Sequence, residues 1–302
     1  MIVSASYKTD IPAFYGKWFM NRLRAGSCKM TNAWNGATDE VSLKPDDVDA
    51  FVFWTKNLGP FRENLDEVAK LGFPFIVQYT INGYPRTLEV SVVDADKSVE
   101  HMHDLCKTFG FGVAIWRYDP IVISSETNYG FHLANFQQLA EKIKGSTDEV
   151  VISFMHAYGK TIRNMNAQST KRGFTWEDPL VQEKQSLLQD LIPIAEANGM
   201  KVRICAQPEN QIPGTEAAHC IDASRIKRVW STKFISRTKG NRPGCLCAGS
   251  KDIGEYNTCP HGCVYCYAVE NRELAKGRYR AHDPNSPFIF NPEAQPDFED
   301  ER

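Results

Sequence analysis

The chain has 302 residues, of which 42% are hydrophobic and 24% charged, and its formal net charge is −2. This composition is typical of a globular protein, and the balanced charge excludes a chain that binds nucleic acid through a global basic surplus. The longest apolar runs, such as residues 73–81, fall far below the ~18 residues that a membrane span needs.

Short β-branched and aromatic runs alternate along the chain with longer amphipathic stretches. The runs predict six strands, at 2–6, 50–55, 75–81, 112–118, 150–155 and 201–206. The amphipathic stretches predict five helices, at 12–25, 59–71, 95–108, 129–144 and 177–197. Most of these strands are apolar on both faces, which favours a parallel sheet. We therefore expect residues 1–207 to form an α/β unit, a (βα)6 partial TIM-type barrel, with an open parallel sheet as the alternative.

The helical and strand periodicity fades after residue 207, where proline and glycine become frequent. Seven of the nine cysteines lie in the last hundred residues. The start of the chain has no basic segment followed by an apolar run, so we expect a cytoplasmic protein, in which disulfides are disfavoured. We predict that residues 208–283 form a loop-rich cap built around metal and folded over the barrel. Residues 284–302, rich in proline and acidic residues, are predicted to form a surface tail.

The central motif is Cys259-Pro-His-Gly-Cys263-Val-Tyr-Cys266, a C-x3-C-x2-C run. Three thiolates at this spacing can bind three corners of an iron–sulfur cube, whereas a fully ligated cube takes a fourth cysteine. One iron then keeps an open coordination position, which suits a catalytic site. A structural zinc site, completed by Cys245 and Cys247, is the alternative.

This motif, including the aromatic residue before its last cysteine, resembles that of the radical S-adenosylmethionine (SAM) superfamily. The resemblance implies a [4Fe–4S] cluster whose open iron is chelated by SAM. It implies reductive cleavage of SAM to methionine and a 5′-deoxyadenosyl radical, which abstracts hydrogen from a substrate. It also implies that Tyr265 lies against the adenine, and that a reductant such as flavodoxin or ferredoxin supplies the electron.

Segments outside the motif resemble an uncharacterised bacterial family that carries the cysteine motif near its C-terminus. These segments include residues 4–12, 53–57, 116–120 and 252–257. That family distantly resembles spore photoproduct lyase, a DNA-repairing radical SAM enzyme, so a nucleobase, nucleotide or nucleic acid is the substrate hypothesis. Two departures stand out: no cysteine follows the first strand, and Thr55-Lys56-Asn57 replaces the usual glycine-glycine-glutamate signature.

Four further cysteines lie in the last hundred residues, Cys205, Cys220, Cys245 and Cys247, whereas Cys28 and Cys106 are assigned to packing. Together the four would fully ligate a second, auxiliary cluster, as in some radical SAM enzymes. The alternative for Cys205 and Cys220 is ordinary burial, which is common for free cysteine.

Polar residues occupy the carboxyl ends of the predicted strands, where parallel α/β proteins bind ligands. Lys56 or Arg117 is expected to bind the SAM carboxylate, and Asp119 either orients Arg117 or forms a plain ion pair with it. Tyr118 or His156 is a candidate donor of a proton or hydrogen atom, although a structural role is favoured for His156.

Candidate hydrogen-bonding residues for the ribose or the substrate complete this predicted rim: Asn57, Gln78 and Ser153. Within the cysteine motif, His261 either tunes a cluster by hydrogen bonding to sulfur or faces solvent. Arg242 is a candidate for neutralising cluster charge. Besides a radical SAM enzyme, the sequence allows an iron–sulfur redox protein without SAM chemistry or a zinc-stabilised binding protein on a barrel scaffold.

Overall fold

The computed structural model describes residues 1–31, 36–240 and 242–291. Its strands are β1 (Ile2–Ala5), β2 (Ser27–Thr31), β3 (Thr38–Ser42), β4 (Ala50–Thr55), β5 (Phe75–Thr80), β6 (Ala114–Ile121), β7 (Ile123–Ser124), β8 (Glu149–Phe154), β9 (Trp176–Glu177), β10 (Lys201–Ile204), β11 (Thr215–Ala217) and β12 (Ser250–Asp252). Its α-helices are α1 (Ile11–Phe14), α2 (Gly16–Ala25), α3 (Arg62–Lys70), α4 (Ala95–Phe109), α5 (Tyr129–Ile143), α6 (Gly159–Arg172), α7 (Val181–Ala197), α8 (Ala223–Trp230) and α9 (Arg272–Arg280). Short 3-10 turns occupy Gly59–Phe61 and Pro208–Asn210.

The centre of the fold is an eight-stranded sheet in the order β11-β10-β8-β6-β5-β4-β1-β12, and all of its strand pairs are parallel. The predicted α/β class with a parallel sheet is confirmed, and all six predicted strands lie in this sheet. The sheet is open, because the two edge strands β11 and β12 do not pair with each other. Two small antiparallel pairs, β2–β3 and β7–β9, lie outside it.

The two faces of the sheet bury different partners, as side chains alternate along each strand. The outer face packs against α2, α3, α4, α5 and α7 in one large apolar core. Because the strands from β1 to β10 follow one another across the sheet in chain order, right-handed crossovers bring their helices to this same side. The inner face packs instead against segments that adjoin the two sheet edges, through Ile2, Val52, Ile76, Ile115 and Val151.

The sheet is strongly curved around its inner face. A flat sheet would hold its two edge strands about 34 Å apart, at ~4.8 Å per strand. Yet the backbone N of Ile221, four residues after β11, lies 3.3 Å from Sγ of Cys247, three residues before β12. The four residues after β11 and the three before β12 would together reach only about 24 Å if fully extended. Curvature of the sheet must therefore bring its two edges together.

The segment predicted as a cap, 208–283, also supplies both edge strands of the sheet. Residues 284–291, the first part of the predicted tail, pack on α2: Nε1 of Trp18 donates to the carbonyl of Ser286 at 3.0 Å, and Ile289 is buried. Residues 292–302 lie outside the described residues. Among the helices of the described ranges, none has the length and apolar character that crossing a membrane requires.

Candidate functional site

The cysteine loop, residues 259–266, follows β12 and lies at the carboxyl edge of the sheet. Asp252 ends β12 and fixes the start of this connection. Its carboxylate accepts from Oγ of Ser4 and Oγ of Ser6, each at 2.7 Å, and from the backbone N of Tyr7 and Gly254 at 3.1 and 3.0 Å. Four donors on one buried carboxylate join the ends of β1 and β12 rigidly at this edge.

The three thiols of the loop are half-buried, and burial raises the pKa of each of them. As free thiols they are therefore neutral at neutral pH, and a coordinated metal would be needed to make them thiolates. The backbone N of Ala268 donates to Sγ of Cys266 at 3.4 Å. Lys56 lies close enough to Cys263 for its positive charge to oppose the rise in the pKa of the Cys263 thiol.

His261 holds the cysteine loop against the first helix. Its Nε2 lies 2.8 Å from Oδ2 of Asp10, and its Nδ1 lies 3.4 Å from the carbonyl oxygen of Ser91. The same Asp10 accepts from the backbone N of Lys56 at 2.7 Å and caps α1 through Ala13. The His261 ring is buried, so the expectation that it faces solvent is wrong.

A buried network beside Cys263 brings together Lys56, Glu89, Tyr265 and Asn82. Nζ of Lys56 lies 2.8 Å from Oε1 of Glu89 and 3.1 Å from the hydroxyl of Tyr265, which also donates to Glu89. Nδ2 of Asn82 donates to Glu89 at 3.2 Å. Burial lowers the pKa of Lys56, but Glu89 and Cys263 outweigh it, so the net shift is upward and Lys56 is a cation.

A second network on the inner face joins Arg117, Asp119, Gln78 and Ser153, four residues that the sequence places at the rim. Nε of Arg117 donates to Oδ2 of Asp119 at 2.9 Å, and its Nη1 donates to Oε1 of Gln78 at 3.1 Å. Ser153 donates to the other oxygen of Asp119. Although burial alone would raise the pKa of Asp119, Arg117 and Ser153 lower it, so this pair is charged.

Two predicted site residues do not join these networks. Tyr118 follows Arg117 on β6 and therefore points to the outer face, where its hydroxyl lies 2.8 Å from Nδ1 of His132 and accepts from Asn135 at 2.9 Å. Asn57 accepts from the backbone N of Gly59 at 3.1 Å and so closes the turn before α3. Both side chains have local structural partners.

Buried His132 makes folding stability sensitive to acid. Burial lowers its pKa to about 4, whereas the unfolded imidazole takes a proton near 6.5. Between these values the unfolded chain binds more protons, so stability falls as pH falls. Between pH 7.5 and pH 5, the free energy of unfolding of the wild type should fall by about 2 kcal/mol more than that of His132→Asn. Urea unfolding at the two pH values measures both. Equal losses in the two proteins would contradict this account.

Four further cysteines, Cys205, Cys220, Cys245 and Cys247, lie together on the inner face. Sγ of Cys220 is 3.5 Å from Sγ of Cys205, and Cys247 accepts from the backbone N of Ile221 at 3.3 Å. Across residues 1–31, 36–240 and 242–291, no three His, Cys, Asp or Glu side chains are arranged to hold one metal ion. A single ion needs one shared coordination point, whereas a cluster binds each sulfur to its own iron.

Several residues of the site were not identified from the sequence: Glu89, Asn82, Asp10 and Asp252. Each lies in a loop or at a strand end, where no periodicity marks it. Glu89 has the weakest signal, because it lies in an irregular connection between β5 and α4 whose contact with Cys263 spans more than 170 residues. Asp10 lies within residues 4–12, one of the segments that carry the family resemblance, and nothing in that segment predicts its contact with His261.

Fold and site together define an α/β protein with a parallel sheet, whose carboxyl edge carries a three-cysteine loop beside buried charged networks. The family model described as "Domain of unknown function (DUF1848)" matches residues 2–268, and the chain belongs to this family. No curated protein matches it.

Proposed function

We propose that this protein is a radical SAM enzyme that binds a [4Fe–4S] cluster through Cys259, Cys263 and Cys266. The observation that carries this proposal is the presentation of three thiols from a single C-x3-C-x2-C loop at the carboxyl edge of a parallel sheet. Metal-binding loops and substrates both gather at this edge in α/β enzymes. The alternatives are an iron–sulfur redox protein without SAM chemistry and a zinc-stabilised binding protein.

The chemistry of the loop suits a cluster with one open position. Its three thiols are soft ligands of the type that iron–sulfur clusters take, and the loop supplies no fourth. The cationic Lys56 beside Cys263 would offset part of the negative charge of bound thiolates. When bound, such a cluster supplies the electron that splits SAM into methionine and a 5′-deoxyadenosyl radical.

The spatial order of the strands supports a partial barrel of the radical SAM type. The sheet begins in space with β12, continues to β1, and then runs in chain order to β10, with the crossover helices on one side. The cysteine loop and α9 follow β12, so the loop follows the first strand in space although it lies near the end of the chain. This order would account for the first of the two departures, the lack of a cysteine after β1, and the curvature of the sheet supports the proposal of a barrel-like shape.

The chain's own charged residues would bind and orient SAM. The ammonium group of Lys56 has three N–H donors. Two of them donate to Glu89 and to the hydroxyl of Tyr265. The third would bind the SAM carboxylate. Asp119 holds Arg117 in place on the inner face, where Cζ of the guanidinium lies 5.1 Å from the centre of the Trp54 ring. Gln78 and Ser153, within this network, would contact the substrate.

Aromatic and cationic side chains at the same edge support a flat, anionic substrate such as a nucleotide. Nζ of Lys8 and Nζ of Lys160 lie 5.4 and 5.9 Å from the centre of the Tyr256 ring. Tyr267, partly exposed, donates to the backbone oxygen of Tyr7 at 2.6 Å. Rings of this kind stack on bases, and cations bind phosphate.

The proposal is tested on the full chain, purified and reconstituted with iron and sulfide without oxygen. We expect iron and acid-labile sulfide in the protein, and 5′-deoxyadenosine on addition of SAM with dithionite. In cells the electron would come from a flavodoxin or ferredoxin, in the cytoplasm, where thiols stay reduced. Iron and sulfide without SAM cleavage would support the redox protein instead, and zinc without iron would support the structural zinc site.

A further inference from the structure

Four cysteines from separate parts of the chain meet on the inner face of the sheet. Cys205 follows β10, Cys220 lies three residues beyond β11, and Cys245 and Cys247 precede β12. The sulfurs of Cys220 and Cys205 are 3.5 Å apart. Cys220 also contacts Cys247, which in turn contacts Cys245. The four thiols therefore form one continuous group, built by the curvature that brings the two sheet edges together.

Two arginines point at these sulfurs. Nη1 of Arg117 donates to Sγ of Cys220 at 3.1 Å, and Nη2 of Arg242 donates to Sγ of Cys205 at 3.6 Å. The backbone N of Ile221 adds a donor to Cys247. A neutral thiol is a weak acceptor, whereas a thiolate accepts strongly and is stabilised by a guanidinium. This arrangement suits sulfurs that carry negative charge.

The surroundings of the four cysteines exclude water, which disfavours free thiolates. Cys205, Cys220 and Cys247 are buried among aliphatic side chains that include Ile115 of the inner face and Ile226 of α8. Metal coordination reconciles the two facts, because it deprotonates the thiols and places the resulting charge beside the arginines.

We propose that Cys205, Cys220, Cys245 and Cys247 ligate a second [4Fe–4S] cluster, independent of the cysteine loop. One zinc ion would need all four sulfurs around a single point, an arrangement that no three His, Cys, Asp or Glu side chains of residues 1–31, 36–240 and 242–291 show. A cube gives each sulfur its own iron, so binding it would move the sulfurs of Cys205 and Cys220 farther apart than their present 3.5 Å. With four protein ligands the cluster has no open position, so it exchanges electrons and does not bind SAM.

The experiment uses the full chain with the cysteine loop disabled by Cys259→Ala, Cys263→Ala and Cys266→Ala together. After anaerobic reconstitution we expect ~4 irons and ~4 sulfides per chain, against ~8 irons in the wild type, and an electron paramagnetic resonance signal after reduction. Adding Cys220→Ser should remove that iron, whereas adding Cys106→Ser, on α4, should leave it. This result does not depend on SAM cleavage, so it separates the second cluster from the proposed function.

Three outcomes would overturn the second cluster: a triple variant that folds but holds no iron, about one zinc per chain in place of iron, or a disulfide between Cys205 and Cys220. Circular dichroism establishes whether the triple variant folds. If it does not, Arg242→Gln in the otherwise intact protein provides the test, since Arg242 is half-exposed. Loss of its charge should make the midpoint potential of one cluster more negative and leave that of the other unchanged. If no midpoint potential of the bound iron differed between Arg242→Gln and the wild type, the proposal would be contradicted.

Discussion

Cys263→Ala is expected to lower the rate of 5′-deoxyadenosine formation by more than about 100-fold. Replacing a residue that only hydrogen-bonds to a metal ligand already lowers metal affinity or activity about 10–100-fold, and Cys263 would be a ligand itself. Cys263 is the middle thiol of the loop, and it forms an isolated β-bridge with Glu89, beside Lys56. Without its thiol only two ligands remain, too few to hold a cube that already lacks a fourth. The measurement is nucleoside release from SAM, determined by chromatography, together with the iron content.

Cys106→Ala provides the matched control for this variant. Cys106 lies on α4, away from both cysteine groups, and its thiol donates to the carbonyl of Gly145 at 3.6 Å. We expect its replacement to change neither iron content nor SAM cleavage. If Cys263→Ala kept both its iron and its cleavage rate, Cys259, Cys263 and Cys266 could not be the ligands of a catalytic cluster.

The parallel sheet could be predicted because its strands are apolar on both faces. Runs such as Ala50–Thr55 and Glu149–Phe154 are almost wholly buried in the structure, as their composition indicates. The edge strands β11 and β12 could not be predicted, since each has three residues and depends on pairing with β10 or β1. Their pairing is a tertiary effect, absent from local propensity.

Helix α6 was not predicted because its sequence has no apolar stripe. Only Thr161 and Met165 of its residues are buried, and most of the others are polar or charged. The predicted helix at 12–25 is interrupted at Tyr15, whose side chain is buried and donates to the carbonyl of Thr258 at 2.6 Å. A contact 243 residues away in sequence cannot be inferred from helical periodicity.

The site could be predicted only as far as strand ends reveal it. Arg117, Asp119, Gln78 and Ser153 meet in the structure because parallel strands deliver their last residues to one edge. Tyr118 illustrates the limit: adjacent residues on a strand face opposite sides, so Arg117 and Tyr118 do not share one site. The sequence names both, and only the position of the helices decides which face is the inner one.

Lys56→Met is expected to lower the free energy of unfolding by about 3–5 kcal/mol, because it leaves the Glu89 carboxylate buried without its cation. Glu89 is 3% exposed, and Lys56 is its partner at 2.8 Å. Adding Glu89→Gln should recover most of this loss, since glutamine is neutral and can still accept from Tyr265 and Asn82. Urea unfolding of the reconstituted protein measures both effects.

Lys97→Met is the matched control, because the Lys97–Glu100 pair joins the same residue types on the exposed side of α4. Loss of this exposed ion pair should lower the free energy of unfolding by less than about 0.5 kcal/mol. The double variant Lys56→Met/Glu89→Gln then separates stability from function. If Lys56 binds the SAM carboxylate, this variant is stable but has a raised KM for SAM, since its pocket keeps its packing but lacks the cation. A double variant with wild-type KM would limit Lys56 to neutralising Glu89.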